Sequence, residues 1–453
     1  MNMDNKLKAL VLGLGQTGLS SARYLLSRGY NVEVMDTRQQ PPMLERLREE
    51  CPQARFDCGT PTLDKLASAG LVAVSPGLSI REGSLAEYLK SGHELVGDVE
   101  LFVREATAPI VAITGANGKS TVTDLTGHIF RCCGNSVEVG GNIGVPVLDL
   151  LQRPVPEVYV LELSSFQLET THSLNARAAV VLNISADHMD RYRNIEDYAE
   201  SKRRIFHGDG VMVLNRDDGM VMAMEAAGRR VRYFTLAEPQ SENDFGVAKY
   251  KGEQFIFKGT RPLMPVNCIR IPGRHNLANV LAVLALIDEF ELPLADVESA
   301  ISQYEGLPHR CQPVADVLGV LWVNDSKGTN VGATTAALEG MGRPVVLIAG
   351  GEGKDADFAP LGEAVQRFAR AVVLIGRDAK LIAAAMPDKV RVVFAGDMAD
   401  AVIQASRLAQ NGDVVLLSPA CASFDMFNNY THRGQVFEQQ VQKLIVQTEG
   451  GRQ

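Results

Sequence analysis

The sequence predicts an α/β protein of three domains, each built around a mainly parallel sheet. Short runs of β-branched residues alternate along the 453 residues with helix-compatible segments, and many of the turns between them are rich in glycine. A chain of this length exceeds one ordinary core of ~150 residues. We expect a Rossmann-like N-terminal domain over 1–97, a P-loop ATPase-like central domain over 98–305 and a Rossmann-like C-terminal domain over 306–453.

Composition and charge exclude several classes of protein. Hydrophobic residues make up 46% and charged residues 22%, which is typical of a globular enzyme and excludes a disordered or fibrous chain. The net charge of −9 argues against nucleic acid as the main partner, since duplex binding needs a basic face. The seven cysteines lack zinc-ligand spacing, which favours free thiols in a reducing compartment.

No stretch of ~18 apolar residues is present, and residues 1–8 are too polar for a signal peptide. We therefore expect a cytoplasmic protein without a membrane partner. No long exposed apolar stripe is evident along the sequence, which favours a monomer.

The most informative stretch is 109–121, where an apolar strand runs into a glycine-rich turn and then a helix. Gly115 and Gly118 allow the turn to approach a ligand closely, and free amide groups at the helix start attract phosphate. Lys119 adds a positive charge, and Ser120 adds a hydroxyl for a magnesium ion. Ile113 replaces the usual first glycine, so this is a variant P-loop, and an ordinary strand-turn-helix corner is the alternative.

Two polar residues in the same region then lie at or past the carboxyl ends of buried strands. Glu162 lies near the end of the strand 158–163, where a charge is costly unless it is paired. A magnesium ion beside the P-loop would pair it, and a structural salt bridge is the alternative. His188 lies just past the strand 178–182, which favours a metal or substrate role over a purely structural one.

The N-terminal stretch has the layout of a dinucleotide-binding corner. Three glycines within 13–18 join a strand to a helix, and Asp36 ends the next strand. A Rossmann-like domain holding another nucleotide or phosphorylated ligand fits equally well. Ser75 begins a turn at the carboxyl end of a further strand, where ligands of open sheets collect, although a plain turn is also possible.

A third candidate region opens the apolar helix 280–287. His275, Asn276 and Asn279 cluster at its start, where they could meet an adenine edge or a phosphate. A simple helix cap is the competing interpretation for Asn276.

Several of these motifs together resemble the Mur ligases of peptidoglycan synthesis. The residues that carry the resemblance are Thr114-Gly115-x-Asn117-Gly118-Lys119-Ser120-Thr121, Glu162-x-Ser164-Ser165-Phe166-Gln167-Leu168, Asp187-His188-x-Asp190 and Gly306-x-x-His309-Arg310. Two C-terminal motifs, 324–330 and 418–423, narrow the resemblance to the branch that adds D-glutamate.

The resemblance implies an ATP-dependent ligase that joins D-glutamate to UDP-N-acetylmuramoyl-L-alanine during cell-wall synthesis, and hence a role in cell shape and division. The substrate carboxylate would attack the γ-phosphate of ATP, and the amine of D-glutamate would attack the resulting acyl phosphate. Catalysis then depends on positioning and charge stabilisation around phosphates bound to two Mg²⁺ ions.

The resemblance also implies a set of residues for each ligand. The catalytic residues would be Lys119, Glu162, His188 and Lys202, and the metal ligands Ser120, Glu162, His188 and Lys202. ATP would contact Gly115, Asn117, Gly118, Lys119, Ser120, Thr121, Asn276, Asn279, Arg310 and Asp325. The UDP substrate would contact Gln16, Thr17, Gly18, Asp36, Thr37, Ser75, Asn142 and Ser164. D-Glutamate would contact Lys327, Thr329, Lys354, Ser423, Phe424 and Tyr430.

Lys202 needs a chemical explanation, because a bare ammonium beside magnesium would be repelled. The family carries a carbamylated lysine at the matching position, which supplies an anionic oxygen ligand for a hard metal. Nearby cations favour the neutral amine that reacts with carbon dioxide.

The sequence leaves three alternatives open. A nicotinamide-dependent dehydrogenase would explain Asp36 and the N-terminal glycines but not the P-loop. A non-catalytic nucleotide-binding relative would keep the scaffold without turnover. A sister ligase would add a different amino acid.

Overall fold

The computed structural model describes residues 7–354 and 356–450, the side chains of 447–450 excepted. Residues 1–6, part of the polar N-terminal stretch considered above, lie outside the described residues. The described chain forms sheets of four, nine and six strands in sequence order. The predicted α/β architecture with three domains is confirmed.

The N-terminal sheet is entirely parallel, with strand order β3-β2-β1-β4. Its elements are β1 (Lys8–Leu12), α1 (Gln16–Ser27), β2 (Asn31–Asp36), α2 (Leu44–Glu50), β3 (Arg55–Cys58), α3 (Leu63–Ala67), β4 (Leu71–Val74) and α4 (Gly83–Lys90).

The middle region begins with α5 (Asp98–Val103) and contains the nine-stranded sheet, in the order β13-β12-β11-β10-β9-β8-β5-β7-β6. Its first half comprises β5 (Ile110–Thr114), α6 (Lys119–Cys132), β6 (Val137–Gly141), α7 (Val147–Leu150), β7 (Val158–Glu162), α8 (Ser165–Glu169), β8 (Ala178–Val181) and α9 (Ile195–Arg203). Its second half comprises β9 (Val211–Asn215), α10 (Gly219–Met222), β10 (Val231–Phe234), β11 (Asp244–Tyr250), β12 (Glu253–Lys258), β13 (Arg261–Pro265), α11 (Arg274–Ile287) and α12 (Leu294–Gln303). Only the pairs β11–β12 and β12–β13 are antiparallel among the described strand pairs of this sheet.

The C-terminal sheet has the order β14-β15-β19-β16-β17-β18, and its one antiparallel described pair is β14–β15 at the edge. Its elements are β14 (Gln312–Val317), β15 (Val320–Asn324), α13 (Val331–Gly340), β16 (Val345–Gly350), α14 (Ala359–Phe368), β17 (Ala369–Ile375), α15 (Ala379–Ala384), β18 (Arg391–Phe394), α16 (Met398–Leu408), β19 (Val414–Leu417) and α17 (Tyr430–Gly450).

The hydrophobic clusters of the described residues show which domains share a core. One cluster includes Val11 and Leu25 of the N-terminal sheet layer together with Leu150 and Leu161 of the middle region. The two clusters on the faces of the C-terminal sheet contain only residues from Cys311 onward. The first two domains thus share buried apolar surface, whereas the third has its own core on both faces of its sheet.

Element boundaries differ from expectation where polar or glycine residues masked the pattern. The helix expected from residue 280 begins at Arg274, because Gly273 supplies its N-cap. Gly140 and Gly141 are the last residues of strand β6. Within the described residues, no helix combines the length and hydropathy needed to cross a membrane.

Candidate active site

The P-loop follows β5 directly at the carboxyl edge of the middle sheet. Gly118 caps α6 with a φ of 85°, a conformation that favours glycine. A Cβ atom at this position would lie 2.5 Å from Asn279 Oδ1, so the loop packs closely against α11. The strand, turn and helix therefore have the arrangement predicted for phosphate binding.

Two lysine side chains converge on this loop. Lys119 Nζ donates to the carbonyl oxygens of Gly115 and Ala116, both at 2.8 Å. Lys202 Nζ donates to the same Gly115 oxygen at 3.0 Å and lies 4.6 Å from the centre of the Tyr198 ring. Burial lowers the pKa of Lys119, and burial together with the charge of Lys119 lowers the pKa of Lys202 well below its usual value.

Glu162 is 1% exposed and ends β7 beside β5. Its Oε1 atom accepts a hydrogen bond from Asn142 Nδ2 at 2.7 Å. The other oxygen, Oε2, is buried without a hydrogen-bond partner among the described residues. A buried carboxylate oxygen of this kind is suited to a cation.

Ser164 follows two residues after Glu162 and has a structural role in this structure. It caps α8, accepting from Gln167 N at 3.2 Å, while the Gln167 side chain accepts from Ser164 N. This capping box fixes the helix directly behind Glu162.

His188 lies in the segment between β8 and α9, in a left-handed backbone conformation with φ of 57°. Its ring centre lies 4.8 Å from that of Phe166, and its Nε2 atom lies 3.7 Å from Asp187 Oδ2. Within the described residues, no group of three or more His, Cys, Asp and Glu side chains could hold a metal ion by itself.

A cavity of about 320 Å³ extends from the P-loop between the middle and C-terminal domains. Asn276 and Asn279, both buried on the first turns of α11, line it together with Gly118 and Thr121. Asn276 is not the helix cap, because Gly273 occupies that position and the Asn276 side chain donates to Pro272 O at 2.7 Å.

The C-terminal domain contributes two further predicted residues to this cavity. Arg310 Nη2 donates to Ser120 Oγ at 2.6 Å, which joins the two domains at the P-loop. Asp325 accepts from Cys311 N at 3.1 Å and from Ser418 Oγ at 2.7 Å, and burial raises its pKa to about 6. Seven of the ten residues predicted to contact ATP line this cavity, namely Asn117, Gly118, Thr121, Asn276, Asn279, Arg310 and Asp325.

The glycine turn of the N-terminal domain packs against Ser75, whose Oγ donates to Gly13 O at 3.0 Å. Asp36 Oδ2 accepts from Leu14 N at 2.7 Å, and hydrogen bonds from Arg38 lower the pKa of Asp36 to about 2. Among the remaining residues predicted to contact the UDP substrate in this domain, Thr17 and Gly18 lie in the first turn of α1 and Gln16 and Thr37 are exposed.

The residues predicted to bind D-glutamate are only partly brought together. Lys327 Nζ lies 4.1 Å from the centre of the Tyr430 ring, and burial lowers the pKa of Lys327 to about 8. Ser423 is buried, whereas Phe424 is 67% exposed and Lys354 is exposed. The loop before Lys354 is nevertheless close to Ser423, because Glu352 pairs with Ala422 as an antiparallel bridge.

Thr329 belongs to the turn after β15 that also carries Lys327. Its amide donates to Lys327 O at 2.8 Å, so the two residues share a tight turn at the carboxyl edge of the C-terminal sheet. This edge faces the P-loop cleft, which Lys327 lines.

Two asparagines that the sequence analysis did not single out brace the P-loop. Asn183 Oδ1 accepts from Asn117 N at 2.8 Å, and Asn183 Nδ2 donates to Asn117 O at 3.1 Å. Asn330 Nδ2 reaches across from the C-terminal domain to Asn117 Oδ1 at 3.4 Å and Asp187 Oδ2 at 3.3 Å. The position of Asn183 directly after a parallel strand was the available signal.

Substituting Gly18 with alanine is expected to destabilise the N-terminal turn. The added Cβ atom would lie 1.8 Å from Gly13 O, so the backbone must shift, at a cost of about 1–3 kcal/mol. Urea unfolding of G18A and wild type measures the difference. Gly77→Ala is the control, since nothing lies within 4 Å of its added Cβ. Equal stability of G18A and G77A would contradict the close packing of this turn.

Three family models match consecutive parts of the chain. They are described as "Mur ligase MurD-like, N-terminal domain" over residues 7–97, "Mur ligase middle domain" over 113–287 and "Mur ligase, glutamate ligase domain" over 309–421.

Whole-chain comparisons agree with these matches. The UDP-N-acetylmuramoylalanine–D-glutamate ligase of Thiobacillus denitrificans is 50% identical, with 97% of each chain covered. The enzyme of that name from Nitrosococcus oceani is 48% identical, covering 96% of this chain and 97% of its own.

Solved structures share the fold at low identity. MurF from Acinetobacter baumannii has a TM-score of 0.60 at 16% identity, covering 98% of this chain and 92% of its own. UDP-N-acetylmuramate-alanine ligase MurC from Thermotoga maritima has a TM-score of 0.56 at 17% identity, covering 96% and 99%. The P-loop cleft, the three matched domains and the half-identical relatives together establish that this chain belongs to the Mur ligase family.

Proposed function

We propose that this chain is an ATP-dependent ligase that adds D-glutamate to UDP-N-acetylmuramoyl-L-alanine in peptidoglycan precursor synthesis. Relatives about half identical over nearly the whole chain carry the name UDP-N-acetylmuramoylalanine–D-glutamate ligase. The observation that carries the chemistry is the contact of Arg310 with Ser120, because it brings the amino-acid-binding domain onto the P-loop. Membership of this family also excludes the dehydrogenase alternative.

The proposed reaction has two steps. The carboxylate of the muramoyl substrate attacks the γ-phosphate of ATP, ADP leaves, and an acyl phosphate forms. The amine of D-glutamate then attacks the acyl carbon, and phosphate leaves as the amide forms. Lys119 and the free amides of the P-loop stabilise the phosphate charge, and Arg310 adds a second cation from the other domain.

The residues present fit a magnesium ion bound mainly through the nucleotide. Glu162 offers a buried, unpartnered oxygen, and Ser120 offers a hydroxyl at the start of α6. Because the described residues form no cluster of three or more acidic, His or Cys ligands, phosphate oxygens and water would complete the coordination. When bound, the ion neutralises charge on the phosphates. We assign His188 to a second ion.

We propose that Lys202 is carbamylated. Its lowered pKa favours the neutral amine, which combines with carbon dioxide to give an anionic carbamate and release one proton. The carbamate would supply an oxygen ligand for a metal ion from the place where Lys202 Nζ donates to the Gly115 carbonyl oxygen in this structure.

Lys202→Ala is expected to lose most activity and to regain part of it with added acetate. A second measurement does not depend on turnover: after incubation with ¹³C-bicarbonate, wild type should show a carbamate carbon resonance that K202A lacks. Full activity of K202A without acetate, or the same resonance in both proteins, would contradict carbamylation. Lys249→Ala, on an exposed lysine of the same domain, is the control.

The remaining predicted contacts are assigned to the two substrates. We place the UDP end on the glycine turn and Ser75, and the muramoyl part near Asn142 and Ser164. We assign the carboxylates of D-glutamate to Lys327, Thr329, Ser423 and the neighbouring Phe424, with Lys354 and Tyr430 beside them. We place the domain boundaries after residues 97 and 305.

The decisive experiment measures ADP formation with the muramoyl substrate and each of three amino acids. D-Glutamate should support turnover, and L-alanine and meso-diaminopimelate should not. Turnover with either of the latter would favour a sister ligase, and ATP binding without ADP formation would favour a non-catalytic relative.

We also propose that the protein acts in the cytoplasm as a monomer. All seven cysteines are free thiols, which suits a reducing compartment. Light scattering on the purified protein checks the oligomeric state.

A further inference from the structure

We infer that Arg191 is a positioning residue that holds the His188 segment against the turn of the N-terminal domain that begins at Ser75. The inference rests on the proposed function for the roles of these two segments. Arg191 has no assigned role in the reaction proposed above, although it lies three positions after His188.

The contacts of Arg191 span two domains. Its Nη1 atom donates to Pro76 O at 2.9 Å, and its Nη2 atom donates to Leu78 O at 2.9 Å. Nη2 also donates to Glu169 Oε2 at 2.8 Å. The Arg191 side chain is 10% exposed and that of Glu169 is 5% exposed, so this ion pair is largely shielded from water.

On the other side, Arg191 is tied directly to His188. The amides of Arg191 and Tyr192 donate to His188 O at 2.9 and 3.2 Å, which closes a turn around the left-handed His188 backbone. The Arg191 guanidinium lies 4.0 Å from the centre of the Phe166 ring, the same ring that packs against His188. Both backbone and ring contacts of His188 therefore depend on where Arg191 is fixed.

Arg191 donates to carbonyl oxygens of the turn that begins at Ser75, and this turn belongs to the predicted UDP site. Leu78 N donates to Ser75 O at 3.0 Å, and Ser75 Oγ bonds Gly13 O. A planar guanidinium can satisfy these carbonyls and a carboxylate together, whereas an ammonium lacks that fixed fork. Arg191 thus sets the distance between His188 and the turn that begins at Ser75.

Arg81 offers a matched control within the same interface. It donates to the other oxygen of Glu169 at 2.7 Å and to Asp197 at 2.7 Å. Its side-chain hydrogen bonds in the described structure go to Glu169 and Asp197, and its contact with the His188 turn is the guanidinium 4.6 Å from the centre of the Tyr192 ring, without a hydrogen bond to that turn. Variants at Arg81 weaken the domain contact while leaving the carbonyl contacts of Arg191 in place.

The test compares R191Q and R191K with R81Q and R81K in the full-length protein. We expect R191Q to lower kcat about ten- to a hundredfold and to raise the Mg²⁺ concentration for half-maximal rate about tenfold. R191K should remain impaired despite its retained charge, and the Arg81 variants should stay close to wild type.

Hydrogen exchange of residues 183–194 in the ligand-free protein supplies a readout independent of catalysis. Exchange should be faster in both Arg191 variants than in both Arg81 variants. If R191Q does not fold, the kinetic and hydrogen-exchange measurements on R191K test the inference without it. Wild-type kinetics in R191K, or equal exchange across all four variants, would overturn the inference. Absence of D-glutamate-dependent ADP formation in wild type would instead overturn the proposed function and leave the exchange result standing.

Discussion

Replacing Lys119 with alanine is expected to lower D-glutamate-dependent ADP formation by about 10²- to 10³-fold, because it removes a fixed cation from the phosphate site. In the structure the Lys119 ammonium is held beside the turn by two carbonyl oxygens, at 2.8 Å each. Little side-chain ordering is then needed when the charge on the transferred phosphoryl group develops.

The measurement is a coupled ADP assay at saturating concentrations of all three substrates, with thermal unfolding to verify that the variant folds. Lys249→Ala provides the matched control, since this lysine is exposed on β11 of the same domain. A K119A enzyme that turns over at the wild-type rate would show that this loop is not the phosphate site.

The second large effect is expected from Glu162→Gln, which changes a carboxylate to an amide of nearly the same size. The Asn142 contact involves Oε1, but the buried Oε2 atom loses its negative charge. Because a carboxylate is a far better Mg²⁺ ligand than an amide, we expect a loss of about 10²-fold in kcat and a higher Mg²⁺ requirement.

A magnesium titration of the rate in wild type and E162Q checks this result. Glu138→Gln is a suitable control, because Glu138 lies on the neighbouring strand β6 and is paired with Arg153 on the surface. Identical magnesium dependence of E162Q and E138Q would instead favour a structural role for Glu162.

Features encoded by local patterns were predictable from the sequence. The P-loop, Glu162 and His188 each lie at or after the carboxyl end of an apolar strand, and parallel strands bring these ends to one edge of the sheet. The strand β3 was not predicted, because it is short, lies largely exposed at the sheet edge and has only two apolar residues.

Contacts between distant segments were not predictable in the same way. Asn183, Asn330 and Arg191 are polar residues in turns, and nothing in their immediate sequence indicates which carbonyl or amide they reach. Their roles follow from how the domains pack. The helix α11 also starts earlier than its apolar pattern predicts, since Arg274 and His275 hide the beginning of an otherwise apolar helix.

The separate core of the C-terminal domain has a consequence for how substrates enter and leave. Its described polar contacts with the P-loop region include the bond of Arg310 to Ser120 and the longer bonds of Asn330 to Asn117 and Asp187, and no hydrophobic cluster of the described residues crosses this boundary. Each such hydrogen bond contributes about 0.5–1.5 kcal/mol, or about 1.5–3 when one partner is charged. Because no shared hydrophobic cluster has to be opened, we expect the C-terminal domain to be able to move away from the P-loop when ADP leaves, whereas the first two domains, which share a hydrophobic cluster, should move as one body.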